Sequence, residues 1–598
     1  MKPPIPINEA EGVFQRFYDP HRGYLDTWRF TCDAAAHGRV QQNFHAVTFD
    51  WRTGGDGVVM RLEKDVAVDA RGYDRFTACF TLPETSRIVI RTVVDGREQT
   101  PIDVRGTNTS AEESGPIEGD QITRIVIEVT DSGDGPANGL IYWLGLAHGG
   151  RLAAMDARAN PFEYAWDDLL VPEDQALDVR PTLGLMFGGE DLGALRAKLA
   201  RRPYAKLMDR LRTRAHGFAD LEPWRGVGRW PNMRKPRCYR QRGPEHIEQL
   251  AMRLGGFVGL IDNDAKLLRM AANHALALAH CDTFAPEFQP TIAGSAWEQR
   301  AFFEYRYAQN LIYAWDFAGC CVTPAGHQLF GQAISTKALP WVMQSLMRHP
   351  YVRTCNQGAY FSWGALVCLL ALTKLYPLAH EWVDVPVKAL DETVNTCLGP
   401  DGGAFEGVGY AAATAGHALA AYALLARHRG VPVESLVPER LRKFGDYLMT
   451  MISTRRPYGA AIKVADGGRE GVIVYQDGLG LLHRITGDAK IGALLAGMLD
   501  QDEHEEHPTT PGAIFSLVFG AADLPEPAAQ PAVFNVLPHT GMLCSNRATV
   551  DGQVRLQLIG APARAGHAHD DRGSFVIEAF GEEVAIDRGQ MGYDDPRC

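Results

Sequence analysis

The order of apolar and polar positions divides the chain into three stretches. Up to about residue 175, short runs alternate or are rich in β-branched residues: VVMRLEKDVAV, RFTACFTL, RIVIRTVV, ITRIVIEVT and GLIYWLGLA, with Gly, Asp and Pro turns between them. Strand side chains point to opposite faces in turn, so this rhythm predicts an N-terminal β-sandwich over residues 1–175. The domain reads as a carbohydrate-binding module or as a packing domain, and the lack of aromatic residues on a recognisable face favours packing.

From about residue 190 to 520 the period changes. DLGALRAKLARRPYAKLMDRLRTRA, EHIEQLAMRLGGFVGLI, AKLLRMAANHALALAHC, EQRAFFEYRYAQNLIYAWDFAG and NQGAYFSWGALVCLLALTKLYP carry apolar residues at i, i+3, i+4 and i+7. GYAAATAGHALAAYALLARHRG, ESLVPERLRKFGDYLMTMIS and AKIGALLAGMLDQ continue the pattern. About ten helices without intervening strands form a helical array. The lack of a fixed repeat argues against common solenoids and for a central α/α toroid over 190–520. A Pro-rich acidic connector follows (QDEHEEHPTTPG, LPEPAAQPA), and then β patterning returns in GMLCSNRATV, QVRLQLIG, SFVIEAFG and EVAIDRG. The expected fold class is therefore multidomain α+β, ending in a C-terminal antiparallel β-sandwich over 530–598 that stops a few strands in.

Composition narrows the function classes. A chain of 598 residues exceeds one core and suggests roughly three or four domains. The net charge of −12 and the lack of a dense Lys/Arg run argue against a general nucleic-acid binder. No apolar run approaches the length of a membrane span. MKPPIPINEAEG lacks a basic segment followed by an apolar core, and the 11 scattered cysteines read as buried reduced thiols. Together these predict a cytoplasmic protein, or a periplasmic or secreted one if a leader has been removed.

Three segments carry candidate chemistry. In APARAGHAHDDRGSFVIEAFGEEVAIDRGQMGY, His567 and His569 share one face of an extended segment, and Asp587 follows eighteen residues after His569. They read as a catalytic histidine beside a His/Asp metal pair, or as solvated polar residues in a turn. In DGGAFEGVGYAAATAGHALAAYA, two glycines precede Tyr410 at a helix start, where a phenol beside a cleft can donate a proton; ring packing is the alternative. His417, two turns on, reads as a packed core histidine. In RTCNQGAYFSWGALVCLLALTKL, Asn356 and Gln357 open a helix, either as a cap or as amides facing a cleft. Arg242, Trp297 and Arg300 stand before helices as candidates to hold acidic groups and stack on a sugar. His504 and His507 lack metalloprotease spacing and read as solvated.

Together these segments resemble the heparinase II/III-like polysaccharide lyases, a group that includes alginate, heparin and heparan lyases and is similar to dermatan sulfate epimerase. The resemblance covers roughly residues 190–598. It rests on Asn356, on Glu406 to Tyr410 (E-G-x-G-Y, with Tyr410 54 residues after Asn356), and on His567, His569, Asp571, Ser574 and Phe575, followed by Gly581, Asp587, Gly589 and Tyr593. It implies a toroid followed by an antiparallel β-sandwich, and β-elimination on an acidic oligo- or polysaccharide, leaving a 4,5-unsaturated uronate. It further implies that Asn356 neutralises the substrate carboxylate, Tyr410 acts as general acid or as both acid and base, and His567 acts as general base. Gln357, Glu406, Trp297, Arg300, Arg242 and Tyr593 would contact substrate. His569 and Asp587 match metal positions of some members, so no cofactor is required while a structural Zn²⁺ or Ca²⁺ stays open. A homodimer also stays open. Three rivals remain: a uronate C5 epimerase using the same residues, a toroid glycoside hydrolase using Asp401 and Glu406, and a glycan-binding protein.

Overall fold

The computed structural model of the chain describes residues 14–17, 27–33, 37–42, 47–54, 57–107, 110–149, 167–202, 204–221, 250–280, 284, 301–455, 459–462, 464–465, 478–500, 511–526, 533–560, 567 and 571–587. In the first stretch, one antiparallel sheet has the order β3 (Arg39–Gln42), β4 (Val47–Gly54), β11 (Asp134–Ala147), β6 (Arg75–Thr81), β9 (Ser110–Pro116), with β1 (Gln15–Arg16) also pairing with β11. The second has the order β2 (Arg29–Cys32), β5 (Gly57–Asp69), β10 (Gln121–Asp131), β7 (Ser86–Val94), β8 (Arg97–Arg105). Period-2 alternation puts Ile88, Ile90, Ile125 and Ile127 into a core shared with Phe49, Trp51, Phe76 and Phe80. The alternate positions of the second sheet carry a charge ladder: Arg29–Glu63 at 2.7 Å, Arg91–Glu128 at 2.5 Å and Arg87–Asp103 at 2.6 Å. Trp28, Trp51 and Trp143 are buried, so these rings build the core instead of a sugar-stacking surface.

The middle stretch is helical: α1 (Leu192–Leu199), α2 (Tyr204–His216), α3 (Gly256–Asp262), α4 (Ala265–His280), α5 (Phe302–Ala318), α6 (Pro324–Ala333) and α7 (Leu339–Arg348). There follow α8 (Gln357–Leu372), α9 (Asp384–Cys397), α10 (Val408–Arg429), α11 (Phe444–Met451), α12 (Leu479–Thr486), α13 (Ala489–Asp500) and α14 (Pro511–Phe519). Helices α5, α8 and α10 pack side by side in the same direction. Phe302 and Tyr305 at the start of α5 meet Phe361 and Tyr360 at the start of α8 (5.2 and 5.8 Å between ring centres). The residue capping α8 is bonded in turn to the segment entering α10. Parallel inner helices joined through returning ones such as α9 give the α/α toroid arrangement. Both α8 and α10 are apolar nearly all round, as helices enclosed by neighbours are. Helix α10 has the length and hydropathy of a membrane span, but 83% of its apolar window is buried inside the molecule, which is the burial of a core helix.

The last stretch forms one antiparallel sheet, in order β12 (Val533–Leu537), β13 (Met542–Thr549), β14 (Gly552–Ile559), β15 (Ser574–Ala579), β16 (Glu582–Ala585). Sequence reasoning expects a sandwich here; among the described residues there is this single sheet, with the toroid as its packing partner. Val533, Leu537, Met542, Ile559 and Val576 belong to the same apolar core as the helices. Its alternation is inverted. In QVRLQLIG the polar residues Arg555 and Gln557 are buried, while Leu558 is exposed. Both charged groups facing the toroid are bonded at the end of α11, although Arg555 Nε has no partner among the described residues. The Arg555 guanidinium donates to the Thr450 and Ile452 carbonyls and to Gln557 Oε1. Glu578, directly opposite Arg555 in register, accepts from Ser453 Oγ, Thr454 N and Thr454 Oγ1. A cation at a helix C-terminus also meets the negative end of the helix dipole.

The eight described cysteines are free thiols. Burial pushes the Cys368 thiol up to about 12, so it stays protonated.

Candidate active site

The site grows from the N-terminal ends of α8 and α10. Asn356 occupies the cap position of α8, yet its side chain makes no capping hydrogen bond. The residue is 5% exposed, and its Oδ1 has no hydrogen-bond partner among the described residues. A buried amide oxygen left unsatisfied costs about 1–3 kcal/mol, so the fold holds this group ready at an expense in stability. Its backbone is held instead: Asn356 N–H donates to Glu406 Oε2 at 3.0 Å. Glu406 is itself 2% exposed, which places its carboxylate under Asn356, inside the wall of the site.

The strand-like turn ahead of α10 explains how Glu406 reaches that place. Gly402 (φ +81°) and Gly407 (φ +82°) take backbone conformations that side chains disfavour. A Cβ on Gly403 would fall 1.9 Å from Thr540 Oγ1. Asp401 fastens this turn to the C-terminal sheet, accepting from His539 N (2.8 Å), Thr540 N (3.1 Å), Thr540 Oγ1 (2.9 Å) and Gly403 N (3.2 Å). Burial pushes its pKa up, but the bonds from Thr540, Gly403 and His539 outweigh this and hold it below the usual value.

Tyr410 stands in the first turn of α10, and its ring lies face to face with His567, 3.7 Å between centres and 3° from parallel. His567 comes from the connection between β14 and β15, so the contact joins the toroid to the sheet. The phenol oxygen and the ring nitrogens lie on the edges of these rings. Asn356, Glu406, Tyr410 and His567 thus form one chain of neighbours assembled from three distant segments.

Gln357 opens α8, partly exposed, with its Oε1 unpartnered among the described residues. Asp587 is partly buried just past β16. Arg242, Trp297, Arg300, His569 and Tyr593 lie outside the described residues, as do His504 and His507. Among the described residues, no three His, Cys, Asp or Glu side chains gather as a metal site. His417 is flanked by Tyr360 (4.2 Å) and Trp363 (4.5 Å), and its Nδ1 bonds to the Ala413 carbonyl at 2.6 Å. Burial, aided by the Arg306 charge, pushes its pKa down to about 4. Half-buried Tyr360 on α8 and exposed Arg306 on α5 neighbour His417, and sequence reasoning passes over both; polar and aromatic residues interrupting two apolar helices were the available signal.

No sequence-family model matches the chain, and no curated protein sequence does. Among solved structures, heparinase III aligns at 12% identity over 74% of this chain and 62% of its own length, with a TM-score of 0.42. The heparan sulfate lyase HepC from Pedobacter heparinus aligns at 14% identity over 67% of this chain and 60% of its own, TM-score 0.37. The chain therefore spans about three-fifths of these structures' length. A carbohydrate-binding module, TmCBM61 in complex with β-1,4-galactotriose, aligns at 17% identity with 22% of this chain and 99% of its own, TM-score 0.18.

Proposed function

We propose that the chain is a polysaccharide lyase that cleaves uronic-acid-containing glycans, of alginate or glycosaminoglycan type, by β-elimination. The observation that carries this reading is the face-to-face contact of Tyr410 and His567, in one chain of neighbours with Asn356, whose side chain is left out of the helix cap. Elimination removes the proton on C5 of a uronate and expels the glycosidic oxygen on C4. The ionised carboxylate beside C5 resists a second negative charge, so a group must stabilise the developing dianion. Asn356 suits that role: its backbone is fixed by Glu406, and its side-chain amide is not spent on the helix cap. One such preorganised donor is worth roughly 3–4 kcal/mol. When proton and leaving group lie on opposite sugar faces, His567 takes the C5 proton and Tyr410 protonates the departing oxygen. When they share a face, Tyr410 serves both steps. Each general acid or base contributes about 10²–10⁴-fold.

The hydrolase reading loses its carboxylate pair. Both Asp401 oxygens accept bonds that tie the turn to the sheet, and Glu406 is buried on the Asn356 backbone. A C5 epimerase would use the same residues but return the proton without expelling the C4 oxygen. The test is a panel of uronate polymers and oligomers followed by the ultraviolet absorbance of unsaturated uronate. Absorbance growing with time, and lost in folded Tyr410→Phe, is the expected result. Binding without turnover, or inversion at C5 without cleavage, would contradict the proposal. Exolytic action on oligosaccharides belongs to the same reading, and early release of large fragments would argue against it.

A further inference from the structure

Helices α8 and α10 are enclosed except along one line. On α8 only Gln357 and Tyr360 reach solvent; on α10, ahead of its exposed C-terminal end, only Gly409, Tyr410 and His417 do. The part-exposed line therefore runs from Tyr410 past Tyr360 to His417, two helical turns from Tyr410. His417 is more than packing there. A carbonyl can only accept, so the bond to Ala413 fixes the ring proton on Nδ1. The depressed pKa keeps the ring neutral at neutral pH. Nε2 is then a fixed acceptor, and it has no hydrogen-bond partner among the described residues. On the adjoining helix α5, exposed Arg306 donates from Nε to Tyr305 Oη at 3.2 Å, with its guanidinium carbon 5.8 Å from that ring's centre. Tyr305 packs in turn on Tyr360, 5.8 Å between centres, and Arg306 is near enough for its charge to act on His417.

We propose that Arg306, Tyr360 and His417 form a second sugar subsite beside the catalytic residues, one that takes the neighbouring acidic residue of the glycan. Tyr360 offers a ring face to the sugar, His417 Nε2 accepts a hydrogen bond from a hydroxyl, and Arg306 meets a carboxylate or sulfate in the planar, two-pronged geometry that suits such groups. The subsite rests on the lyase reading for the identity of the ligand, and on its own geometry for its existence.

The test compares wild type, Arg306→Gln and His417→Phe on three tetrasaccharides: an oligomannuronate, an N-sulfated heparan fragment, and an unsulfated N-acetylated counterpart. Arg306→Gln should raise KM about tenfold on a probe whose neighbouring sugar is anionic, leave kcat within about twofold, and leave the N-acetylated probe unaffected. The oligomannuronate and N-sulfated arms separate carboxylate from sulfate. His417→Phe, which keeps the ring contacts but removes the acceptor, should raise KM on all three. Unchanged KM in both variants, or a fall in kcat alone, would overturn the subsite. Calorimetric binding of the same probes separates the two proposals. If wild type binds them without forming unsaturated product, and Arg306→Gln binds the anionic ones about tenfold more weakly, the subsite stands and the lyase reading falls. If no probe binds wild type, the subsite falls as well. Circular dichroism and the surface position of Arg306 guard against misfolding as the cause.

Discussion

The two β regions solve opposite problems. The N-terminal sandwich closes on its own core and turns its charges outward, where Arg29, Arg91 and Arg87 pair with Glu63, Glu128 and Asp103. The C-terminal sheet does the reverse. It presents Arg555, Gln557 and Glu578 to the toroid and leaves an apolar row on its other face, where Leu558 lies opposite Phe575, both exposed. The first region is folded by its own side chains. The second is held by backbone groups at the end of α11 and by Asp401, and this grip fixes where His567 meets Tyr410. A sheet that places His567, the proposed base, against the toroid must be locked in register. Buried charges with a single set of partners lock it more selectively than apolar contact does, because a slipped register would strand them.

The most severe way to break this contrast is deletion. A chain ending at residue 526 should lose all lyase turnover and melt at lower temperature, because the helical core loses Val533, Leu537, Met542, Ile559 and Val576 along with His567. A chain lacking residues 1–166 should keep kcat on short oligosaccharides within about twofold, since the two cores share no residue. Comparable losses from both deletions would erase the distinction.

Point changes come next. Arg555→Met or Glu578→Gln should each cost about 1–3 kcal/mol in denaturant unfolding, since each leaves buried carbonyls or donors at the end of α11 without their partner. Turnover should fall with it. Arg91→Ala in the outer ladder should cost about 0–1 kcal/mol. Asp401→Ala removes the acceptor for three contacts from the His539–Thr540 turn, at about 1–3 kcal/mol, and should lower kcat more than it raises KM because Glu406 and Asn356 lose their anchorage.

The smallest effect is in acid. His274 and His417 are both pushed down to about 4 by burial, against an ordinary value near 6.5. The unfolded chain then binds protons that the folded toroid refuses, so their stabilisation is full above about 6.5 and lost as pH falls towards 4. Asp316, pushed up to about 6 by burial, takes up one proton in the folded state and offsets part of this. In the sandwich, Glu63 and Asp103 are held low by Arg29 and Arg87, so its own acid sensitivity begins only below the ordinary carboxylate range. Scanning calorimetry should show the toroid transition moving first between pH 6.5 and 4. A sandwich transition that moves first would contradict this.

Much of this architecture was readable in the residues. Alternation in RIVIRTVV and ITRIVIEVT marked strands that do pair in one sheet, and the 3.6-residue period marked the inner helices. The local segments around Asn356, Glu406–Tyr410 and His567 stood out because each breaks its surroundings with polar or glycine residues. What could not be read was partnership across hundreds of residues. Nothing near Arg555 indicates that the carbonyls of Thr450 and Ile452 await it, so QVRLQLIG reads as apolar-inward when the reverse holds. Asn356 looked equally like a cap, and only the geometry shows the cap bond unmade. His417 read as core packing because its open nitrogen depends on Ala413 and on two rings from another helix.

The central claim is that a histidine carried by the C-terminal sheet and a tyrosine of the toroid act together on one uronate. Mass spectrometry of uronate oligosaccharide digests, made with wild type and with folded His567→Ala, tests it most directly. The account predicts wild-type products lighter by one water than hydrolytic fragments, carrying a 4,5-unsaturated uronate, and a loss of at least about 10²-fold in their rate of formation in the variant. Hydrated fragments from the wild type, or undiminished turnover in the variant, would contradict it.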